Sequence, residues 1–219
     1  MNLNVVLLGP PGAGKGTQTR NIANKYGLFQ LSTGDLIRKE IDAGTELGKA
    51  IKEVVNSGGL TVDAHINALV RECVKKQAPL QGLVFDGYPR RVAQAEFLDQ
   101  LLEEIGFKID LAIRLEIDDS LLMRRVSGRF TCSSCGAMYH EEFNLPLQKD
   151  VCDVCGHNTL IRRADDSVEA LKLRLALYHQ ETEPIVDYYQ TKGILSSVDG
   201  TQPIERVAEA VERLILSTQ

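Results

Sequence analysis

Asn4-Val5-Val6-Leu7-Leu8-Gly9-Pro10-Pro11-Gly12-Ala13-Gly14-Lys15-Gly16-Thr17 decides how this chain folds. Asn4 to Leu8 is an apolar, β-branched run without alternation, the pattern of a strand buried on both faces of a parallel sheet. The glycines that follow let backbone N–H groups turn inward toward an anion, and Lys15 adds a point charge. A helix beginning near Gly14 directs its positive end at the same place. A glycine-rich strand-to-helix turn with no ligand is the alternative, and the strand, the lysine and the spacing together argue against it. The common phosphate cradle carries Ser or Thr directly after the lysine, whereas here Gly16 intervenes before Thr17.

Working outward, further runs at Gly82–Asp86, Leu111–Leu115 and Ile194–Val198, with a short candidate at Leu28–Leu31, read as strands of the same sheet. Between them, Val62, Ile66, Leu69, Val70 and Cys73 recur at helical spacing after an N-cap at Thr61, forming a core-facing stripe. Pro203 suits the first turn of a last helix whose Ile204, Val207, Ala208, Val211, Leu214 and Ile215 share one face. Strands alternating with helices predict a doubly wound parallel five-stranded α/β sheet of the P-loop NTPase kind, with right-handed crossovers. Two stretches, about 32–61 and 128–166, break the alternation and read as insertions. The core is then 1–31, 62–127 and 167–219.

The chain has 219 residues, 43% of them hydrophobic, enough for a full core. Its 30 acidic against 25 basic residues, a net charge of -5, argue against nucleic acid or anionic membranes as partners. Met1-Asn2-Leu3-Asn4 lacks a basic leader, and the run Val5–Leu8 is too short to cross a membrane, so a cytoplasmic location is expected.

Four of the five cysteines fall close together, as Cys132-x2-Cys135 and Cys152-x2-Cys155. Two such knuckles supply four thiolates to one tetrahedral ion, zinc by preference, although spacing alone also allows iron. Gly136 and Gly156 follow the second cysteine of each pair, where a knuckle needs a permissive backbone. Four thiolates leave no open coordination position, so the metal is structural, standing in for a core that so small a segment lacks. Incidental buried pairs or disulfides are the alternative. His140 and His157 are surplus to a complete shell.

The cradle variant G-x-P-G-x-G-K-G-T resembles that of the adenylate kinases, and the likeness continues along almost the whole chain. Ser32-Thr33-Gly34-Asp35-Leu36-Ile37-Arg38 is similar to the family's S-T-G-D-x-x-R, and Asp86-Gly87-Tyr88-Pro89-Arg90 with Gln94 to its D-G-[FY]-P-R-x-x-x-Q. Gly59-Leu60-Thr61 matches its acceptor-site turn, with Thr61 where many relatives have Val. The resemblance implies phosphoryl transfer between Mg-ATP and AMP giving two ADP. ATP would lie on Gly12, Ala13, Gly14, Lys15, Gly16, Thr17, Arg125, Arg129 and Gln202. AMP would lie on Thr33, Arg38, Gly59, Leu60, Thr61, Gly87, Tyr88, Arg90 and Gln94, with Arg163 and Arg174.

Asp86 would help hold the Mg-bound water, a turn-capping aspartate being its plainer reading. The resemblance makes 32–61 the segment that binds the monophosphate and 128–166 a zinc-bearing lid, with Asp165 and Asp166 fastening the closed lid. A monomer is expected. Lys15, Arg90, Arg125, Arg129, Arg163 and Arg174 would form the catalytic set with Asp86. Bringing two polyanions together against their repulsion calls for such cations, and an AMP phosphate already carries a deprotonated oxygen, so no general base is needed. Two rivals remain: another nucleoside monophosphate kinase, disfavoured by Thr33 and Gln94, and a nucleic-acid-binding ATPase with a zinc ribbon, disfavoured by the acidic balance.

Overall fold

A computed structural model describes residues 3–57, 59–77, 82–163 and 166–218; Asp165 lies outside them. Strand β1 (Val5–Leu8) is followed by helix α1 (Lys15–Tyr26), β2 (Phe29–Ser32), α2 (Thr33–Asp42), α3 (Glu46–Asn56) and α4 (Asp63–Gln77). Next come β3 (Leu83–Asp86), α5 (Val92–Glu103), β4 (Leu111–Glu116) and α6 (Asp119–Ser127). Three short strands follow, β5 (Arg129–Cys132), β6 (Met138–His140) and β7 (Leu160–Ile161). The chain ends with α7 (Val168–Leu177), a π-helical turn (Tyr178–Thr182), α8 (Pro184–Thr191), β8 (Leu195–Asp199) and α9 (Ile204–Ser217).

Five strands form a parallel sheet in the order β2-β3-β1-β4-β8, with Val6 opposite both Phe85 and Ala112. The five runs read from sequence are these strands, displaced by a residue or so at their ends. Because side chains alternate across a strand, Val6 and Leu8 enter the core shared with Val70, Leu98 and Ile185, while Val5 and Leu7 enter the one shared with Ile22, Val207 and Ile215. Both faces are therefore covered by helices, which is why β1 reads as an unbroken apolar run. Each such side chain, fully buried, contributes about 1.5–3 kcal/mol.

One stripe residue faces the other way. Val62 is 63% exposed, and α4 begins at Asp63, with the Val62 carbonyl accepting from His65 N at 3.1 Å. Val62, not Thr61, therefore occupies the capping position, and Thr61 is buried instead against the neighbouring cavity. Cys73 does pack on the core, half-buried.

The stretch 32–61 contains α2 and α3, packed on each other so closely that a Cβ on Gly48 would lie 2.1 Å from the Glu40 carbonyl oxygen. The stretch from 129 carries a second sheet, antiparallel, ordered β6-β5-β7. Its own core is small: Cys132, Ala137, Tyr139 and Cys152, with Phe130 and Leu160 at the margin.

Candidate active site and metal centre

All five strands of the main sheet are parallel, so their carboxyl ends share one edge, where open α/β sheets bind ligands. The loop after β1 opens there. Gly14 caps α1 at φ 96° and Gly12 sits at φ 87°, conformations that a side chain disfavours. A Cβ on Gly12 would also lie 2.8 Å from Val126 of α6. The first N–H groups of α1, at Lys15 and Gly16, have no acceptor within the helix, and both residues line the cleft at the positive end of its dipole.

That cleft holds about 550 Å³ and is lined by Gly12, Ala13, Gly14, Lys15, Gly16 and Thr17 from the loop and first turn. Asp86 and Gly87 join from the end of β3, Arg125 from α6, Arg129 from β5, Arg174 from α7 and Gln202 from the loop after β8. A second cavity of about 60 Å³ is lined by Thr33, Gly59, Leu60, Thr61, Tyr88 and Gln94. Arg38, Gly87, Arg90, Arg163 and Arg174 belong to the walls of both. Every nucleotide-binding and catalytic residue expected from sequence thus stands in one cavity or the other, and the two meet at a group of arginines.

Charge in the cleft is strongly positive. Among the described residues, Lys15, Arg38, Arg90, Arg125, Arg129, Arg163 and Arg174 line it against the carboxylates Asp86, Glu142 and Glu205. Lys15 donates to the carbonyls of Gly9 at 2.7 Å and Pro10 at 2.9 Å. Burial brings its ammonium from 10.5 down to about 7; the Asp86 carboxylate opposes this and the Arg90, Arg174 and Arg129 charges add to it. Burial likewise pushes the Asp86 carboxyl up, with Lys15 pulling the other way.

Several arginines are held by their own neighbours. Arg38 reaches back to Asp35 at 2.5 Å, one turn earlier on α2. Burial raises the Asp35 carboxyl, yet Arg38 and the Ser32 hydroxyl outweigh it and hold the group below its ordinary range. Arg90 donates from Nε to the Gly87 carbonyl at 2.8 Å. Arg125 donates to Gly200 O at 2.8 Å, and Arg129 pairs with Asp166 through both guanidinium nitrogens it presents there. Arg174 lies 3.8 Å from the same Asp166 carboxylate.

Four further residues bear on the site in ways that the sequence did not indicate. Phe143, 47% exposed, lines the main cleft with the Arg125 guanidinium 5.9 Å from its ring centre. His140 stacks on Phe143 at 4.5 Å; its Nδ1 accepts from the Glu142 and Phe143 amides at 3.0 and 3.3 Å, and its Nε2 donates to Arg124 O at 3.0 Å. This neutral tautomer follows from its partners, two N–H donors and one carbonyl. Met138 of β6 closes onto the loop, and a Cβ on Gly16 would lie 2.4 Å from its Cε and 3.0 Å from Asp86 Oδ2. Asp63 accepts from Gln94. A signal for the first three lay in the apolar and aromatic content of 138–143, which carries no periodicity of its own.

The four clustered cysteines converge. Their Sγ atoms lie within 4.8 Å of one another, with Cys132 to Cys155 and Cys135 to Cys152 each at 3.6 Å. Disulfides are set aside, since all are free thiols and a disulfide bond is about 2.05 Å. Four sulfurs each about 2.3 Å from a tetrahedral zinc stand about 3.8 Å apart, so the donor set fits that ion in kind and in spacing. Gly136 and Gly156 take φ 70° and 71° at the two knuckles. Burial raises the Cys152 thiol, but hydrogen bonds from Tyr139 and from the Cys155 and Val154 amides outweigh it and bring it to about 6. The first knuckle is tied to the core by Arg20 of α1, which donates to Cys135 O at 3.3 Å.

Comparison with known proteins agrees with this geometry. The family model described as Adenylate kinase matches residues 7–194. An adenylate kinase of Paramagnetospirillum magneticum is 45% identical over 213 residues, 97% of this chain and 98% of the relative. One from Paracoccus denitrificans is 45% identical over 215 residues, covering 98% of each, and one from Methanosarcina barkeri is 44% identical over 213 residues, 97% and 98%. The chain belongs to the adenylate kinase family, and its activity is that family's, a nucleoside monophosphate kinase working on adenine nucleotides.

Proposed function

We propose that the main cleft takes ATP and the smaller cavity AMP, with the reacting phosphates facing each other between Arg38, Arg90, Arg163 and Arg174. The observation that carries this reading is the shared wall: among the described residues the two cavities share Gly34, Gly87 and those four guanidinium groups. Amides of Gly12 to Thr17, Lys15, Arg125 and Arg129 hold the donor phosphates. Magnesium arriving with ATP supplies further neutralisation of the polyphosphate. Thr33, Gly59, Leu60, Thr61, Gly87, Tyr88 and Gln94 receive the acceptor nucleoside.

The donor base lies between Phe143 and Arg125 on one side and the Thr201–Ile204 segment, with Gln202, on the other. An exposed aromatic ring with a guanidinium beside it suits a planar base, stacking being worth about 1–3 kcal/mol. The transfer requires positioning and charge neutralisation and no proton abstraction, because the attacking oxygen is already an anion. Desolvation inside the closed cleft strengthens each cation–phosphate contact and keeps water from competing as acceptor.

We assign the segments 32–61 and 128–166 as the parts that open and close, and the four cysteines as ligands of a structural zinc. Four thiols held as free ligands are at home in a reducing compartment, which supports residence in the cytoplasm. We take the working unit to be a monomer, a point for sedimentation to settle. No helix among the described residues is long and apolar enough to cross a membrane. The test of substrate assignment is a panel of nucleoside monophosphates with Mg-ATP, following ADP formation. Preference for AMP is expected, and equal rates with UMP or CMP would overturn it.

A further inference from the structure

We infer that Asp63 sets which purine the acceptor cavity admits, by fixing the polarity of the Gln94 side-chain amide. This rests on the reading of Gln94 as the group that meets the AMP base. Gln94 lies in the first turn of α5, only 3% exposed, and lines the smaller cavity. Its Oε1 accepts from the backbone N–H of Arg90 at 2.7 Å, and its Nε2 donates to Asp63 Oδ1 at 2.6 Å. A backbone N–H can only donate and a carboxylate can only accept, so these partners decide which end of the amide is oxygen. Asp63 Oδ1 also accepts from Arg91 Nη1 at 2.7 Å, and Arg91 Nε in turn reaches Glu181 at 3.2 Å in the π-helical turn. The lock thus joins the start of α4, the start of α5 and the segment after α7.

With one hydrogen and one lone pair committed, the amide keeps one donor and one acceptor. Adenine offers the complement on its Watson–Crick edge, a donor at N6 and an acceptor at N1. A 6-oxopurine reverses both, with an acceptor at O6 and a hydrogen on N1. Turning the amide over would suit the oxopurine, but it would set Nε2 against the Arg90 N–H and Oε1 against the Asp63 carboxylate. Both of the existing bonds would become repulsions in a buried place, where unmade hydrogen bonds cost most. Asp63 therefore acts through Gln94 as a positioning residue. The pair lies 31 positions apart and is joined only by the fold.

The test compares kcat/KM for AMP with that for inosine monophosphate, which shares the ribose phosphate and differs only at this edge. Asp63→Ala and Asp63→Ser remove the shared carboxylate oxygen, the shorter serine keeping a side chain that suits a helix start but stopping short of Gln94 and Arg91. In both, the AMP preference should fall by about tenfold or more, with KM for ATP unchanged within about twofold. Asp63→Asn, whose Oδ1 can still accept from Gln94 and Arg91, should keep the wild-type ratio. A ratio unchanged in Asp63→Ala and Asp63→Ser, however far the absolute rates drop, would overturn the inference. Gln94→Leu separates the two readings. If it leaves the ratio untouched, Gln94 does not meet the base; if it collapses the ratio while the Asp63 variants do not, Gln94 stands and the lock falls.

Discussion

Binding of ATP at pH 8 should draw a proton from the buffer, and Lys15 should be where it lands. In the free protein burial holds the Lys15 ammonium near 7, against 10.5 in water. That drop corresponds to about 5 kcal/mol against the charged form. The sign follows from linkage. A depressed folded-state value means that the unfolded chain binds the proton more tightly, so stability rises with pH between about 7 and 10.5, and the full penalty is present below 7. A polyphosphate on the loop supplies the missing counter-charge and restores the ammonium.

At pH 8 a group with a value near 7 is charged in about one molecule in ten, and in the complex it is charged in nearly all, so uptake is about 0.9 proton. Titration calorimetry with ATP alone, in buffers of different ionisation enthalpy, reads this as the slope of observed enthalpy against that enthalpy. Lys15→Met should abolish the slope and lower turnover by orders of magnitude without unfolding the protein. A wild-type slope near zero, or the same slope in Lys15→Met, would refute the assignment of the buried charge to Lys15.

Other perturbations have equally definite expectations. Elemental analysis of the purified protein should find about one zinc per chain, and Cys132→Ser should lose it and melt several degrees lower; a metal-free protein of equal heat stability would remove the structural role. Phe143→Ala should raise KM for ATP about tenfold and leave KM for AMP alone, as steady-state kinetics with each nucleotide varied will show. Gly16→Ala places its Cβ against Met138 and should cost the closed state about 1–3 kcal/mol, seen as reduced kcat/KM and partly relieved by Met138→Ala. Leu101→Ala, in a fully buried position of α5, should lower unfolding free energy by about 2–5 kcal/mol in denaturant titration with little change in KM.

What could be read from sequence divides along physical lines. The five main strands show as apolar runs because helices cover both faces of the sheet, and the phosphate cradle shows because its donors, its lysine and its helix start are contiguous. The cysteine spacing shows for the same reason, with each knuckle a local device. Strands β5, β6 and β7 do not show: they are short, mix polar with apolar residues, and gather around the cysteine cluster more than around an apolar face. Val62 continues the apolar stripe one position past the point where the helix begins, so its spacing says nothing of its burial. Asp63 on Gln94, His140 on Phe143 and Met138 on Gly16 are partnerships that no spacing announces. Their members belong to different elements, or to a turn whose shape is set by a histidine acting as an aspartate or serine would.

The glycine after Lys15 links these two classes. A hydroxyl there is the common choice in phosphate cradles because it can ligate the metal that accompanies a nucleotide. In this chain the space a side chain would need is taken by the Met138 methyl group from the antiparallel sheet and by the Asp86 carboxylate from the end of β3. The position therefore lets the antiparallel sheet approach the cradle, and a carboxylate oxygen already stands beside the place where the common hydroxyl would be. The lysine beside it is lowered chiefly by burial among the residues of the same cleft, with the Arg90, Arg174 and Arg129 charges adding to it, and this leaves it responsive to an arriving phosphate. A serine at position 16 would restore the hydroxyl and at the same time push Met138 and its sheet away from the cradle, and the water thereby admitted would weaken every other charge in the cleft.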